Sequence, residues 1–315
     1  MGKTTIEYDI ILKSDLQGKG TIDLDRMALL AESIINIAKG ALQIRLGGIS
    51  SKPGKTPDFL DKALKITLKG ITESSTKLAL ESPTFADSLE GVQLNVFQPE
   101  LGEELQHQTP MSLFMLAYKE AFDENDSEKN FLDKALLKNL TDLQSFFRSE
   151  DEELIISNRD SIPELHLKKS DFKRIKILED AIPEPTNVVV NGIIDILEHS
   201  RSKITVKTEQ GNLIGSIKNK TQQEIIKNFW GREATIFGTG HFKPNGRLSY
   251  VEIERIFEAT EEDKHFSKVP AVESVIHQVK RQTAKHATKN WMNEIAGKWP
   301  GDETDEEFER LLKEL

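Results

Sequence analysis

The chain contains no cysteine, which excludes disulfides, zinc thiolate sites and thiol catalysis. No apolar run approaches the roughly 18 to 20 residues that a membrane span needs, so no membrane partner is expected. The opening MGKTTIEYDIILKSD lacks the basic flank, apolar stretch and small-residue cleavage site of a secretory signal. These absences lead to the expectation of a cytoplasmic protein. Internal repeats and low-complexity segments are missing as well.

Chemistry-bearing motifs are equally scarce. GKTT at Gly2–Thr5 and PGKT at Pro53–Thr56 resemble the end of a phosphate loop. Such a loop needs a glycine five residues earlier, after a buried strand. The position five before Gly54 is Ile49, with Gly48 one place too early, and Gly2 has no such strand and glycine before it. The seven histidines form no His-Glu-x-x-His pattern or other close ligand spacing, so neither a metal site nor a cofactor is expected. A Gly-x-Ser-x-Gly elbow is absent too. The expectation is a protein that is not an enzyme.

What is present is size and charge. The 315 residues carry a net charge of −10, which argues against bulk attraction to nucleic acid. Charge is nevertheless segregated near the end. From Lys264 to Lys298 there are seven Lys/Arg against two Glu, and from Trp299 to Leu315 seven Asp/Glu against two Lys/Arg.

Hydrophobic periodicity organises the chain as α+β. TIEYDIILKSD alternates as a strand. Leu24, Met27, Leu30, Ile34, Ile37, Ala38 and Leu42 then recur at helical spacing, between an Asp23 N-cap and a Gly47-Gly48 stop. ALKITLKGITESSTKLALESP reads as a hairpin turning near Thr72–Ser75, and Ser88–Ser149 as mainly helical. Residues 1–150 therefore form a small α+β domain with a helical layer, and 151–186 a connecting segment. Residues 187–262 give the order strand, strand, strand, helix, strand, strand. That is the order of an OB-like five-stranded β-barrel, with turns at Gln210-Gly211 and Pro244-Asn245-Gly246. Residues 263–315 form a C-terminal helical arm and acidic tail.

The barrel and the tail each suggest a binding surface. A barrel that holds RNA or single-stranded DNA needs aromatic platforms beside cations. Lys203, Lys207, Phe242, Lys243, Arg247 and Tyr250 are the candidates, with Phe237, Phe257 and Arg201 as further ones. The basic tip HFKPNGR is the foremost contact. The same aromatics also fit a barrel core, and Phe237 and Ile236 must face opposite sides of their strand. In the tail, Thr304 to Glu307 is a capping-box pattern, after which Phe308, Leu311, Leu312 and Leu315 share one stripe. A helix of that length does not hold itself together in water. Burying three or four such side chains contributes on the order of 5 kcal/mol, enough to dock it on this protein or on another. The preceding segment reads as another helix, with Val272, Val275, Ile276, Val279, Trp291 and Ile295 as its apolar positions.

The ending GKWPGDETDEEFERLLKEL resembles that of a group of bacterial proteins whose genes sit directly before one for a PIN-domain ribonuclease, in toxin–antitoxin-like pairs. The likeness rests on Trp299-Pro300-Gly301-Asp302-Glu303, the acidic Asp305-Glu306-Glu307 and the Leu-rich close. QGKGTIDLDRMALLAESIINIA and LKGITESSTKLAL resemble the N-terminal half of that group more loosely. The resemblance implies an antitoxin-like protein that binds and restrains a metal-dependent ribonuclease. It implies partner-binding roles for Trp291, Lys298, Trp299, Pro300, Gly301, Asp302, Glu303, Phe308, Arg310, Leu311 and Leu312. Trp299 would serve as a wedge, Lys298 or Arg310 as a cation competing with the metal, and the acidic residues would face the nuclease's basic rim. No helix-turn-helix accompanies it, which leaves transcriptional autoregulation without a sequence basis.

Overall fold

The computed structural model describes residues 4–16, 18–51, 58–72, 76–88, 104–123, 131–158, 162–198, 203–217, 225–244 and 246–269, together with Val272 and Val279. The chain divides into two compact units, Met1–Glu273 and Ser274–Leu315. Nearly all described residues belong to the first, which holds two hydrophobic cores.

The first core lies against a five-stranded antiparallel sheet. Its strands are β1 (Thr5–Lys13), β2 (Thr67–Thr72), β3 (Thr76–Pro83), β4 (Glu153–Asn158) and β5 (Leu165–Lys168), in the order β2-β3-β1-β4-β5. Strand β1 alternates as its sequence predicts. Tyr8, Ile10 and Leu12 are buried, whereas the other face carries ion pairs from Lys77 to Asp9, Lys69 to Glu81 and Lys13 to Glu153, each 2.8 Å. Among the described residues, helices cover the buried side. Helix α1 (Leu24–Gly47) buries Leu30, Ile34, Ile37, Ala38, Ala41 and Leu42 there, although Leu24 at its start is exposed. By length and composition α1 is apolar enough to cross a membrane, a property that the run-by-run reading of the sequence passes over. In this fold its stripe belongs to the protein core. Asp23 occupies the N-cap position but its side chain caps nothing; it pairs with Arg148 instead. Gly48 ends the helix at φ 75°, in the left-handed region.

Two short helices, α2 (Asp58–Ala63) and α3 (Phe85–Ser88), precede a layer made by α4 (Pro110–Phe122) and α5 (Lys134–Asp142). Helix α4 is buried along most of its length. Its start is fixed by reciprocal bonds, Ser112 N–H to the Thr109 hydroxyl at 3.0 Å and Thr109 N–H to the Ser112 hydroxyl at 2.8 Å. The Tyr8 hydroxyl shares that Thr109 oxygen at 2.7 Å, tying the layer to the sheet.

The stretch 151–186 differs from the connecting segment read in the sequence. It carries β4, β5 and α6 (Phe172–Ala181), and β4 pairs with β1 from Lys13↔Glu153 to Tyr8↔Asn158. The short connection to the barrel is 182–185.

Five strands close the barrel around the second core: β6 (Thr186–Glu198), β7 (Lys203–Thr208), β8 (Gly211–Ile217), β9 (Glu233–Phe242) and β10 (Leu248–Glu258), in the order β10-β8-β7-β6-β9. All neighbours are antiparallel except β8 and β10, which run parallel from Ile214↔Tyr250 to Ile217↔Ile253. A 3₁₀ turn, Lys227–Phe229, lies between β8 and β9. The barrel rests on the first domain near the end of α1. A Cβ added at Gly48 would come within 2.3 Å of Ile214 Cδ1, so a side chain there would push on the Ile214 tip, while φ 75° itself favours glycine.

After β10 the chain forms a 3₁₀ turn, Glu261–Ser267, that packs on β6. Residues from 263 onwards were expected in the arm, but 263–269 and Val272 are a strap on the barrel. Ser267 donates to Glu209 at 2.9 Å, Lys268 pairs with Glu209 at 3.2 Å, and Val272 N–H donates to Gly246 O at 3.0 Å.

Candidate functional site

The features that can bind another molecule lie on the barrel. Strand alternation sorts the predicted contact residues by face. In β9, Ala234 and Ile236 point inward and are buried, while Phe237 points outward at 40% exposure. Phe242 is only 3% exposed and lies where the barrel meets the first domain, beside His241 and Tyr250, so it offers no exposed stacking face. Lys203, at the start of β7, is 5% exposed and likewise leaves the contact surface. Lys207 and Arg247 are exposed, and Lys243 and Tyr250 are half-buried.

The remaining aromatics form two pairs on the outer wall. Phe237 meets Phe257 edge to face, with ring centroids 5.6 Å apart. Across the strands, Phe237 is flanked by Val189 on β6 and Arg255 on β10. His241 stacks on Tyr250, 4.2 Å between centroids and 7° between planes. That second pair lines a cavity of about 180 Å³ against the first domain, facing Ile49, Asp133 and Ile182. Burial pushes the Tyr250 hydroxyl well above its ordinary pKa, assisted by Glu252 and Asp133, so it stays a donor.

The hairpin tip HFKPNGR is not a free finger. Gly246 has φ 75°, and a Cβ there would sit 2.3 Å from Val272 O. The strap thus lies directly on the turn. Burial and the neighbouring Arg247 guanidinium lower the Lys243 pKa.

Beside this tip is a polar cavity of about 340 Å³. The β7–β8 turn supplies Thr208, Gln210, Gly211, Asn212 and Leu213; the start of β10 supplies Arg247 and Leu248; the strap supplies Val269. In the sequence, Gln210-Gly211 reads only as a turn. Only the parallel pairing of β8 with β10 brings that turn beside Arg247.

Comparison with models of known protein families, with curated proteins and with solved structures finds no match. The geometry is the guide to function.

Among the described residues no group of three or more His, Asp or Glu side chains is placed to hold a metal ion. The predicted partner-binding residues Trp291, Lys298, Trp299, Pro300, Gly301, Asp302, Glu303, Phe308, Arg310, Leu311 and Leu312 lie outside the described residues.

Proposed function

We propose that this chain is a non-enzymatic, antitoxin-like binding protein that docks and restrains a PIN-domain ribonuclease through its C-terminal unit. The observation that carries this reading is the division at Glu273/Ser274. Among the described residues, the sheet core and the barrel core both lie within the first unit. The amphipathic stripe from Phe308 to Leu315 and the segregated charge of residues 264–315 suit docking on a partner. A PIN site holds divalent metal with carboxylates, so Trp299 would fill its cleft and Lys298 or Arg310 would compete with the metal. Asp302 and Glu303 would meet the basic rim that otherwise holds RNA.

Co-purification from the native operon tests this, with the full chain beside a chain ending at Glu273. The expected result is a PIN-like nuclease retained by the full chain and lost from the shortened one, whose melting temperature is unchanged. Retention by the shortened chain, or collapse of its melting transition, would overturn the reading.

A second reading rests on the barrel. Its closed order, with β8 and β10 parallel, is compatible with an OB-like fold that binds RNA or single-stranded DNA. The exposed Phe237–Phe257 pair beside Arg255 supports it, because bases stack on such platforms. Titration of the full chain with labelled oligothymidylate, compared with Phe237→Ala, tests this wall. Equal binding by the variant excludes it as the contact.

A further inference from the structure

The cavity between the β7–β8 turn, the start of β10 and the strap is lined mainly by polar groups. The chain carries a net charge of −10, yet this end of the barrel gathers cations. Arg247 lines the cavity. Lys243 is joined to Arg247 through its backbone N–H, 2.8 Å from Arg247 O. Lys207 stands opposite Asn212 in the β7–β8 register. The nearby carboxylate, Glu209, is occupied: it accepts from Ser267 and pairs with Lys268. Like charges held together favour an anion between them.

The cavity's other groups are of two kinds. Gln210 and Asn212 each offer an amide donor and a carbonyl acceptor. They are held in place by the Thr208 hydroxyl, which donates to Gly211 O at 2.8 Å and accepts from Gln210 N–H at 3.2 Å. A Cβ added at Gly211 would meet nothing within 4 Å, so the turn's backbone is open to an approaching molecule. Leu213, Leu248 and Val269 complete the lining with apolar surface. A guanidinium, two carboxamides and an apolar floor correspond to a phosphate, a heterocycle edge and a heterocycle face. At about 340 Å³ the volume is at the small end for ligand sites.

We propose that this cavity binds a nucleoside phosphate, with the phosphate on Arg247, the base edge towards Gln210 and Asn212, and the base face over Leu213, Leu248 and Val269. The ligand is either a free mononucleotide or the phosphorylated end of a single strand, since both present the same groups. The inference is independent of the nuclease reading. It deepens the nucleic-acid reading of the barrel by moving the contact from the Phe237 wall to the barrel end.

The test titrates the full chain calorimetrically with adenosine monophosphate, adenosine and inorganic phosphate. In parallel it measures polarisation of labelled oligothymidylate with and without a 5′-phosphate. Adenosine monophosphate is expected to bind roughly tenfold or more tightly than adenosine, the scale of one charge-assisted contact. Arg247→Ala should remove that difference, and Gln210→Ala, at an exposed turn, should weaken both ligands. Circular dichroism confirms that each variant is folded. Tighter binding of the phosphorylated oligonucleotide identifies a strand end, and tighter binding of the mononucleotide a free ligand; both support the site. Inorganic phosphate binding as well as adenosine monophosphate, or an unchanged Arg247→Ala, overturns it. Oligonucleotide binding lost in Phe237→Ala but kept in Arg247→Ala leaves the wall standing and removes the cavity. No binding of any probe removes both.

Discussion

Arg26 and Glu152 meet in a salt bridge of 2.8 Å with their side chains only 2% and 1% exposed. The pair joins the first turn of α1 to the residue before β4. Arg26 also donates through Nε to Phe146 O at 3.0 Å and lies 4.3 Å over the Phe146 ring. Glu152 accepts from the Ser14 hydroxyl at 2.5 Å and the Arg148 amide at 2.6 Å. One carboxylate thus holds the end of β1, the start of α1 and the entry to β4 together.

Glu152→Gln is expected to destabilise the protein by about 3 to 5 kcal/mol, because it strands a buried guanidinium. Urea denaturation measures this. Burial alone would raise the Glu152 pKa, but Ser14, Arg26 and the Arg148 amide together hold it below the usual carboxylate value. A depressed folded pKa gives stability that is present above the unfolded value, about 4.3, and lost as pH falls through the folded one. The wild type should lose stability over that acidic window, and Glu152→Gln should show a flatter profile.

His166 gives the opposite sign. Hydrogen bonding to Glu153 raises its pKa above the ordinary value; burial opposes this and the Glu164 hydrogen bond adds to it. Its contribution is complete below the unfolded pKa, about 6.5, and disappears as pH rises through the folded one. An NMR titration should place the His166 midpoint above 6.5, and Glu153→Gln should bring it down.

Phe242 and Phe237, five residues apart on β9, separate packing from binding. Phe242→Ala should cost about 3 to 5 kcal/mol, as for other buried aromatics. Phe237→Ala removes a side chain that is 40% exposed and should change stability far less. Thermal melts of the two variants check the difference.

Gly246→Val tests the strap. A side chain at this position cannot coexist with Val272 O at its present distance. Limited proteolysis should then cut faster within 260–273, while the barrel core remains resistant.

Much of the first domain and the order of the barrel strands were legible, because β1 and α1 follow clean periods of two and 3.6 and the barrel turns fall on glycines. Strand β4 was not. Its Leu154, Ile155 and Ile156 form a short apolar run without alternation, and its partner β1 lies far away in sequence. The facing of Phe242 was hidden for a different reason. The buried alternate positions of β9 run Ala234, Ile236, Gly238 and Gly240 up to Phe242, and the two glycines erase the hydrophobic signal before it. A Cβ at Gly238 would lie 2.1 Å from Glu252 O. The barrel-end cavity was invisible because it needs a parallel pairing between β8 and β10, which no local pattern announces.

Strand β1 lies in the middle of its sheet, between β3 and β4. Its Lys13 meets Glu153, 140 residues later. On a ribosome adding roughly 5 to 20 residues per second, β1 waits several seconds or longer for that neighbour. Through this interval one long edge of β1, with Tyr8, Ile10 and Leu12 beside it, has no permanent partner. Synthesis of this chain therefore passes through a stage in which a nascent strand must be kept from pairing with other chains, and the order of translation becomes part of how the protein reaches its fold.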